Sequence, residues 1–292
     1  MSVSRRALLG GVTVGLVAAC GGPVTAPPSP AASSAPPSSD PLSPSPSPSP
    51  SPTPAPPPTR AEVLARYGGQ PAGRWGTDVP GVLGRLEGEE VALTFDACGG
   101  PGGSGCDEAL LRTLRQHAVP ATLFVNARWL AADPGRAREL AADPLFELAN
   151  HGTAHRPLSV DGRSAYGIAG TRDVGEVYDE VAANHQGLAE LTGRPPRFFR
   201  SGTAHYDETA VRVVGELGER VAGFTVNADA GATFSAAQVR QALAAVGPGA
   251  IVIAHVNRPG HGTATGFAAA LPELLGAGRR FVRLSNGVDH LG

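Results

Sequence analysis

From about residue 85 to residue 284 the chain alternates short apolar runs with stretches of helical periodicity, and that alternation admits few folds. The apolar runs fall at 91–95, 121–125, 145–149, 197–200, 221–226, 250–255 and 281–284. Helical patterns fill the intervals at 107–117, 136–142, 174–191, 208–217, 236–245 and 266–275. Short apolar runs separated by helices form parallel strands, covered on their faces by those helices. The sequence therefore predicts an α/β fold with a parallel sheet, open or closed into a barrel.

What precedes this region cannot join its core. Arg5 and Arg6 lead into an apolar small-residue run at 7–19, too short to span a bilayer as an ordinary helix. It ends in Val17-Ala18-Ala19-Cys20, which resembles a bacterial lipoprotein signal, and residues 4–9, SRRALL, resemble a twin-arginine export signal. The alternative is a plain secretory peptide with an incidental cysteine. The expectation is a signal peptide at 1–19 and a lipidated Cys20. That would anchor the protein to the outer face of the bacterial plasma membrane by acyl chains. Residues 20–59 continue as a Pro/Ser/Ala/Thr tether with a Ser-Pro repeat and no apolar residues able to build a core. Residues 60–292 suffice for one large domain. The net charge of −2, with no basic run, leaves no footprint for nucleic acid. No sustained heptads are present, so a monomer is expected.

In parallel α/β sheets, functional groups gather just past the C-terminal ends of strands. The residues at those positions are Asp96, then Asn150, His151 and His155, then Arg200, then Asn227 and Asp229, and finally His255. His151 and His155 lie four apart in residues 146–159, FELANHGTAHRPLS, so one helical turn or a tight loop can aim both imidazoles at one cation. Each residue also has a structural reading. The histidines could be solvated loop residues, Asp96 a turn cap, Arg200 and Asp229 an ion pair, and His255 a satisfied core histidine. Convergence of five strand ends on one face favours a metal-assisted hydrolytic site.

With these residues in that order, the region from Arg85 to Leu284 resembles the polysaccharide deacetylases, the family-four carbohydrate esterases. The resemblance implies a distorted (β/α) barrel of about seven parallel strands, of the glycoside hydrolase/deacetylase type. It implies a divalent metal, zinc first, with cobalt, nickel or manganese as alternatives. It also implies a hydrolase acting on non-peptide carbon–nitrogen bonds, removing N-acetyl groups from cell-wall or other N-acetylglucosamine-containing polysaccharide. By the same resemblance, His151 and His155 bind the metal and Asp96 is the general base. Arg200 orients that base, Asp229 is the carboxylate near the fourth motif, and His255 is the general acid.

The chain departs from the family at position 97. There the family's second aspartate, the third metal ligand, is replaced by Ala97, and the third motif reads SGTAHY at 201–206. Two histidines make an incomplete catalytic zinc site. Candidates for the missing ligand are Asp96 itself, His205, Asn150 and Asp107. Two other functional readings stay open: a catalytically impaired glycan-binding lipoprotein, and a hydrolase of another non-peptide C–N bond. Cys98 and Cys106 flank a glycine-rich loop, and in an exported protein they are expected to form a disulfide; the alternative is Cys98 as a metal ligand beside Ala97. The loop lacks the Lys-Ser/Thr ending of a phosphate loop. Tyr206 is read either as a sugar-stacking residue or as core, and Trp75 and Trp129 carry the same ambiguity.

Overall fold

A computed structural model describes residues 56–289; the expected signal peptide, the lipidated Cys20 and nearly all of the tether lie outside the described residues. Within them, no helix is long and apolar enough to cross a membrane. The elements run α1 (Arg60–Tyr67), β1 (Trp75–Gly76), β2 (Val91–Ala97), α2 (Glu108–Gln116), β3 (Ala121–Val125), α3 (Ala127–Ala132), α4 (Pro134–Ala142) and β4 (Phe146–Asn150). After them come α5 (Val174–Thr192), β5 (Phe198–Phe199), β6 (Tyr206–Asp207), α6 (Glu208–Glu216), β7 (Arg220–Val221) and β8 (Val226–Asn227). The order ends with α7 (Ala236–Ala244), β9 (Ile251–His255), α8 (Gly262–Gly276), β10 (Phe281–Val282) and α9 (Leu284–Asp289).

Most helix starts follow side-chain capping, α8 after His261 being an exception. Asp107, Asp173 and Asp207 each accept backbone N–H bonds at the first turns of α2, α5 and α6. Thr59 with Glu62, and Ser235 with Gln238, form reciprocal capping boxes for α1 and α7. Strands β2, β3 and β4 are buried at every position, as expected for strands with helices on one side and a barrel interior on the other.

The main sheet has the order β7-β5-β4-β3-β2-β9-β8, with β10 also beside β2, and every pairing in it is parallel. This is the distorted barrel that the family resemblance implies, and it settles the choice between an open and a closed parallel sheet. The apolar run expected as one strand at 221–226 is divided. Its start, β7, pairs with β5, whereas its end, β8, pairs with β9 at the other end of the sheet path. One segment thus serves both edges, crossing between them within a few residues: Ala222 N–H still bonds to Phe199 O of β5, and Thr225 N–H already bonds to Ile251 O of β9.

Strand alternation separates two layers. On β2, Val91, Leu93, Phe95 and Ala97 join the core between sheet and helices, with Leu110, Leu114, Phe267 and Leu271. Ala92 belongs to the other layer, with Phe124, Ala149, Phe198 and Ile251. The period of two then places Thr94 and Asp96 on the interior face with Ala92. Each fully buried Leu or Phe in these layers contributes roughly 1.5–3 kcal/mol relative to exposure. Register sets the level of the site: Asp96 is paired with Phe124 on one side and His255 on the other, Val125 with Asn150, and Asn150 with Phe199. The C-terminal ends of β2, β3, β4, β5 and β9 therefore finish at one height.

Candidate functional site

Asp96 is buried at the end of β2, and its Oδ1 accepts a hydrogen bond from Arg200 Nη1 at 2.9 Å. Arg200, at the end of β5, is itself fully buried. Its Nη1 also donates to Thr94 Oγ1 (2.9 Å), its Nε to Ala222 O (3.2 Å) and its Nη2 to Gly223 O (2.9 Å). The guanidinium lies 4.1 Å from the centre of the Phe124 ring. A charge fixed this way cannot swing out to solvent. Burial alone would raise the Asp96 carboxyl, but Arg200, His151 and His255 overcome it and hold Asp96 below the usual carboxylate range.

The two histidines occupy a loop after β4 rather than a helical turn, and His155 takes a left-handed backbone (φ 65°). His151 Nδ1–H donates to Arg200 O at 2.9 Å. That bond fixes the tautomer and leaves the Nε2 lone pair facing the site. His155 Nε2 is buried with no hydrogen-bond partner, and the two rings stand edge to face with centroids 4.9 Å apart. Glu180 on α5 holds the loop: its carboxylate accepts from the N–H groups of Ala154 (3.0 Å) and Arg156 (3.1 Å). Gly202 allows the approach of His155, because a Cβ there would lie 2.3 Å from His155 O and 2.5 Å from its ring.

Cys98 enters the same space, with its Sγ 3.7 Å from His151 Nε2. One ligand atom from each of Cys98, His151 and His155 lies within 4.8 Å of the others, a group among the described residues that could hold a metal ion. Burial would raise the Cys98 thiol, but the neighbouring imidazoles of His151, His155 and His255 bring it well below the ordinary thiol range. The disulfide expected from the sequence is not formed. Both cysteines are free, and Cys106 lies beside Glu108 with burial pushing its thiol up to about 12. The glycine-rich loop is instead held by backbone turns and by Asn257 Nδ2, which donates to Gly103 O at 2.8 Å.

Across the site His255 ends β9. Its Nδ1 meets Asp229 Oδ1 at 2.9 Å, and its backbone N–H donates to Asp229 Oδ2 at 2.7 Å. Thr263 Oγ1 adds a third bond to Asp229 at 2.9 Å. Burial opposes a charge on His255, but Asp229 and then Cys98 overcome it and hold the imidazole well above its ordinary value. A cleft of about 520 Å³ opens above these groups, lined by Asp96, Cys98, His155, His255, Arg128 and Tyr166. A low carboxylate, a high imidazole and a metal-ligating set around one cleft can carry out proton transfer in both directions beside a cation.

The structure brings together Asp96, His151, His155, Arg200, Asp229 and His255, whereas three candidates for the missing ligand, Asn150, Asp107 and His205, are not in the cluster whose donor atoms lie within 4.8 Å of one another. Asn150 has both ends engaged: Nδ2 donates to Val181 O and Glu219 Oε1, and Oδ1 accepts from Gly152 and Asn184. Asp107 caps α2, with its Oδ1 accepting from Ala109 and Leu110. His205 Nδ1–H is bonded to Thr203 O, and its ring packs between Trp75 and Tyr166. Tyr206 is core, fully buried, its hydroxyl accepting from Ser201 N–H, and Trp129 is buried with its Nε1–H on Gly105 O. Sequence reasoning missed Glu180, Gly202, Thr94, Thr263 and the rim residue Tyr166. It weighed Cys98 only as an alternative, although Cys98 lies one strand period beyond Asp96.

This chain belongs to the polysaccharide deacetylase family. The sequence model described as polysaccharide deacetylase matches residues 84–222. A chitooligosaccharide deacetylase from Bradyrhizobium sp. (strain ANU 289) is 30% identical over 171 residues, which is 58% of this chain and 71% of that protein. Among solved structures, a family 4 carbohydrate esterase from Streptomyces lividans in complex with acetate is similar with a TM-score of 0.54 and 25% identity, over 67% of this chain and 92% of that one. A CE4 family pseudoenzyme from Bacillus anthracis shares the fold with a TM-score of 0.58 and 20% identity, over 72% of this chain and 69% of that one.

Proposed function

We propose that the chain is an exported, metal-dependent hydrolase that removes N-acetyl groups from N-acetylglucosamine-containing polysaccharide. It would act from a lipid anchor at Cys20 on the outer face of the plasma membrane, with residues 20–59 as the tether into the wall. The observation that carries this reading is the pair of oppositely tuned groups on adjacent strands: Asp96 locked by Arg200, and His255 locked by Asp229. Two titratable groups driven apart in this way suit a base and an acid.

His151 and His155 would hold the metal, and their donor atoms fit one: His151 Nε2 is freed by the Nδ1 bond, and His155 Nε2 is buried without a partner. A bound divalent cation supplies Lewis acidity, lowering the pKa of water and polarising an acetyl carbonyl. Asp96 accepts the proton of the attacking water, and Arg200 keeps its carboxylate ionised and aimed. His255 donates its proton to the departing amine nitrogen, and Asp229 with Thr263 keeps that imidazole oriented. Tyr166, 82% exposed at the rim, offers an aromatic face to a sugar ring.

Ala97 favours a second reading, a glycan-binding protein without catalysis. Acetate release from chitooligosaccharides and peptidoglycan separates the two. Under the hydrolase reading, Asp96→Asn lowers kcat by about 10²–10⁴-fold while the protein stays folded. Equal rates for wild type and this variant would remove Asp96 from the chemistry, and no release by either would favour glycan binding or a different amide substrate.

A further inference from the structure

We propose that Cys98 is the third protein ligand of the metal centre, so that the ligand missing at Ala97 is supplied one residue later as a thiolate. The inference rests on the metal-dependent reading above and concerns what completes its ligand shell.

The backbone explains the shift. Ala97 belongs to the core between β2 and the helices, alongside Val91, Leu93 and Phe95, so its position on the strand serves packing. Cys98 is two residues beyond Asp96 and reaches the cleft that Asp96 lines. Gly99 and Gly100, with φ of 66° and 78°, turn the chain at once, and a Cβ at Gly99 would lie 2.6 Å from Trp129 N. Arg128 Nη2 donates to Cys98 O at 3.0 Å and pins the residue from behind.

The distances suit a tetrahedral ion. With metal–sulfur near 2.3 Å and metal–nitrogen near 2.0–2.1 Å, a tetrahedral angle separates sulfur and nitrogen by about 3.6 Å. Cys98 Sγ and His151 Nε2 are 3.7 Å apart. A thiolate also brings the single negative charge that a carboxylate would bring. Asp96 Oδ1 is committed to Arg200, and although its Oδ2 lies 3.8 Å from His151 Nε2, the donor atoms that all lie within 4.8 Å of one another are those of Cys98, His151 and His155. A Cys-His-His set is the soft donor combination that selects zinc or cobalt over manganese and magnesium.

The test is X-ray absorption of the zinc-loaded full chain, with zinc content measured alongside. The expected result is one sulfur neighbour at about 2.3 Å among nitrogen and oxygen neighbours at about 2.0–2.1 Å. With cobalt, a sulfur-to-metal charge-transfer band should appear in the near ultraviolet. Replacing Cys20 by Ser and Cys106 by Ala should leave both signals intact. Cys98→Ala should abolish them and weaken zinc binding by about a hundredfold or more. Cys98→Asp, a second variant checked for folding by circular dichroism, should bind zinc with oxygen and nitrogen neighbours alone. Zinc bound by the wild type without sulfur, no zinc bound by folded wild type, or a sulfur signal surviving in Cys98→Ala would each overturn the assignment. The sulfur signal does not depend on substrate, so a protein that shows it yet releases no acetate contradicts the deacetylase reading and leaves the ligand assignment standing.

Discussion

Gly202 has no room for a methyl group, because its missing Cβ points at the backbone and ring of His155. Gly202→Ala should therefore displace His155 and cut zinc affinity by roughly 10- to 100-fold with little loss of helix content, read by metal titration and circular dichroism. Unchanged affinity would mean that the loop yields and that His155 is not positioned by this contact. At this scale the sequence was legible where a strand end carries a reactive side chain, as at Asp96, His151, Arg200 and His255. Gly202 was not legible, because its role is an absent atom that matters only when 155 and 202 meet. Cys98 was readable in principle, since period two puts it on the side of Asp96, but its nearness to Cys106 in sequence suggested a disulfide. The structure separates their environments: Cys98 among imidazoles, Cys106 beside Glu108.

Between elements, β4, α5 and the approach to β7 meet beneath the histidine loop. Glu219 is buried there, its Oε1 facing Asn150 Nδ2 at 2.9 Å and His185 Nδ1 at 2.8 Å. Burial outweighs both contacts and raises its carboxyl from 4.5 to about 7. The native state thus keeps a proton that the unfolded chain releases. This contribution to stability is fully present below pH 4.5 and is lost as pH rises through about 7. The slope is at most about 1.4 kcal/mol per pH unit. Glu219→Gln should flatten that decline in urea unfolding between those limits; parallel profiles for the two proteins would show that Glu219 does not titrate on unfolding. Spacing predicted most helices to within a few residues, but short pieces such as β1, β6 and α3 escaped, because two to six residues carry no resolvable period. The HxxxH spacing fitted a helical turn or a loop equally well. What decided for the loop is Glu180, 25 residues beyond His155, binding the backbone of 154 and 156.

Over the whole molecule, parallel register does what no single element can. It ends five strands at one height, so that groups from Asp96 to His255, remote in sequence, face one cleft. The family resemblance supplied the barrel form, and the alternation of strands and helices made the parallel α/β sheet legible. The division of 220–227 between both edges of the sheet was not, since an apolar run does not state its partners. The proposed chemistry is hydrolysis of an N-acetyl group in this cleft with the help of a bound metal. Its decisive experiment is acetate release from N-acetylated chitooligosaccharides and peptidoglycan by the full chain, zinc-loaded and then chelated, with new free amines counted. Acetate and amine are expected in equal amounts with zinc, and both should disappear on chelation and recover when zinc returns. Release that persists after complete metal removal, or no release from folded zinc-loaded protein on either substrate, would contradict it.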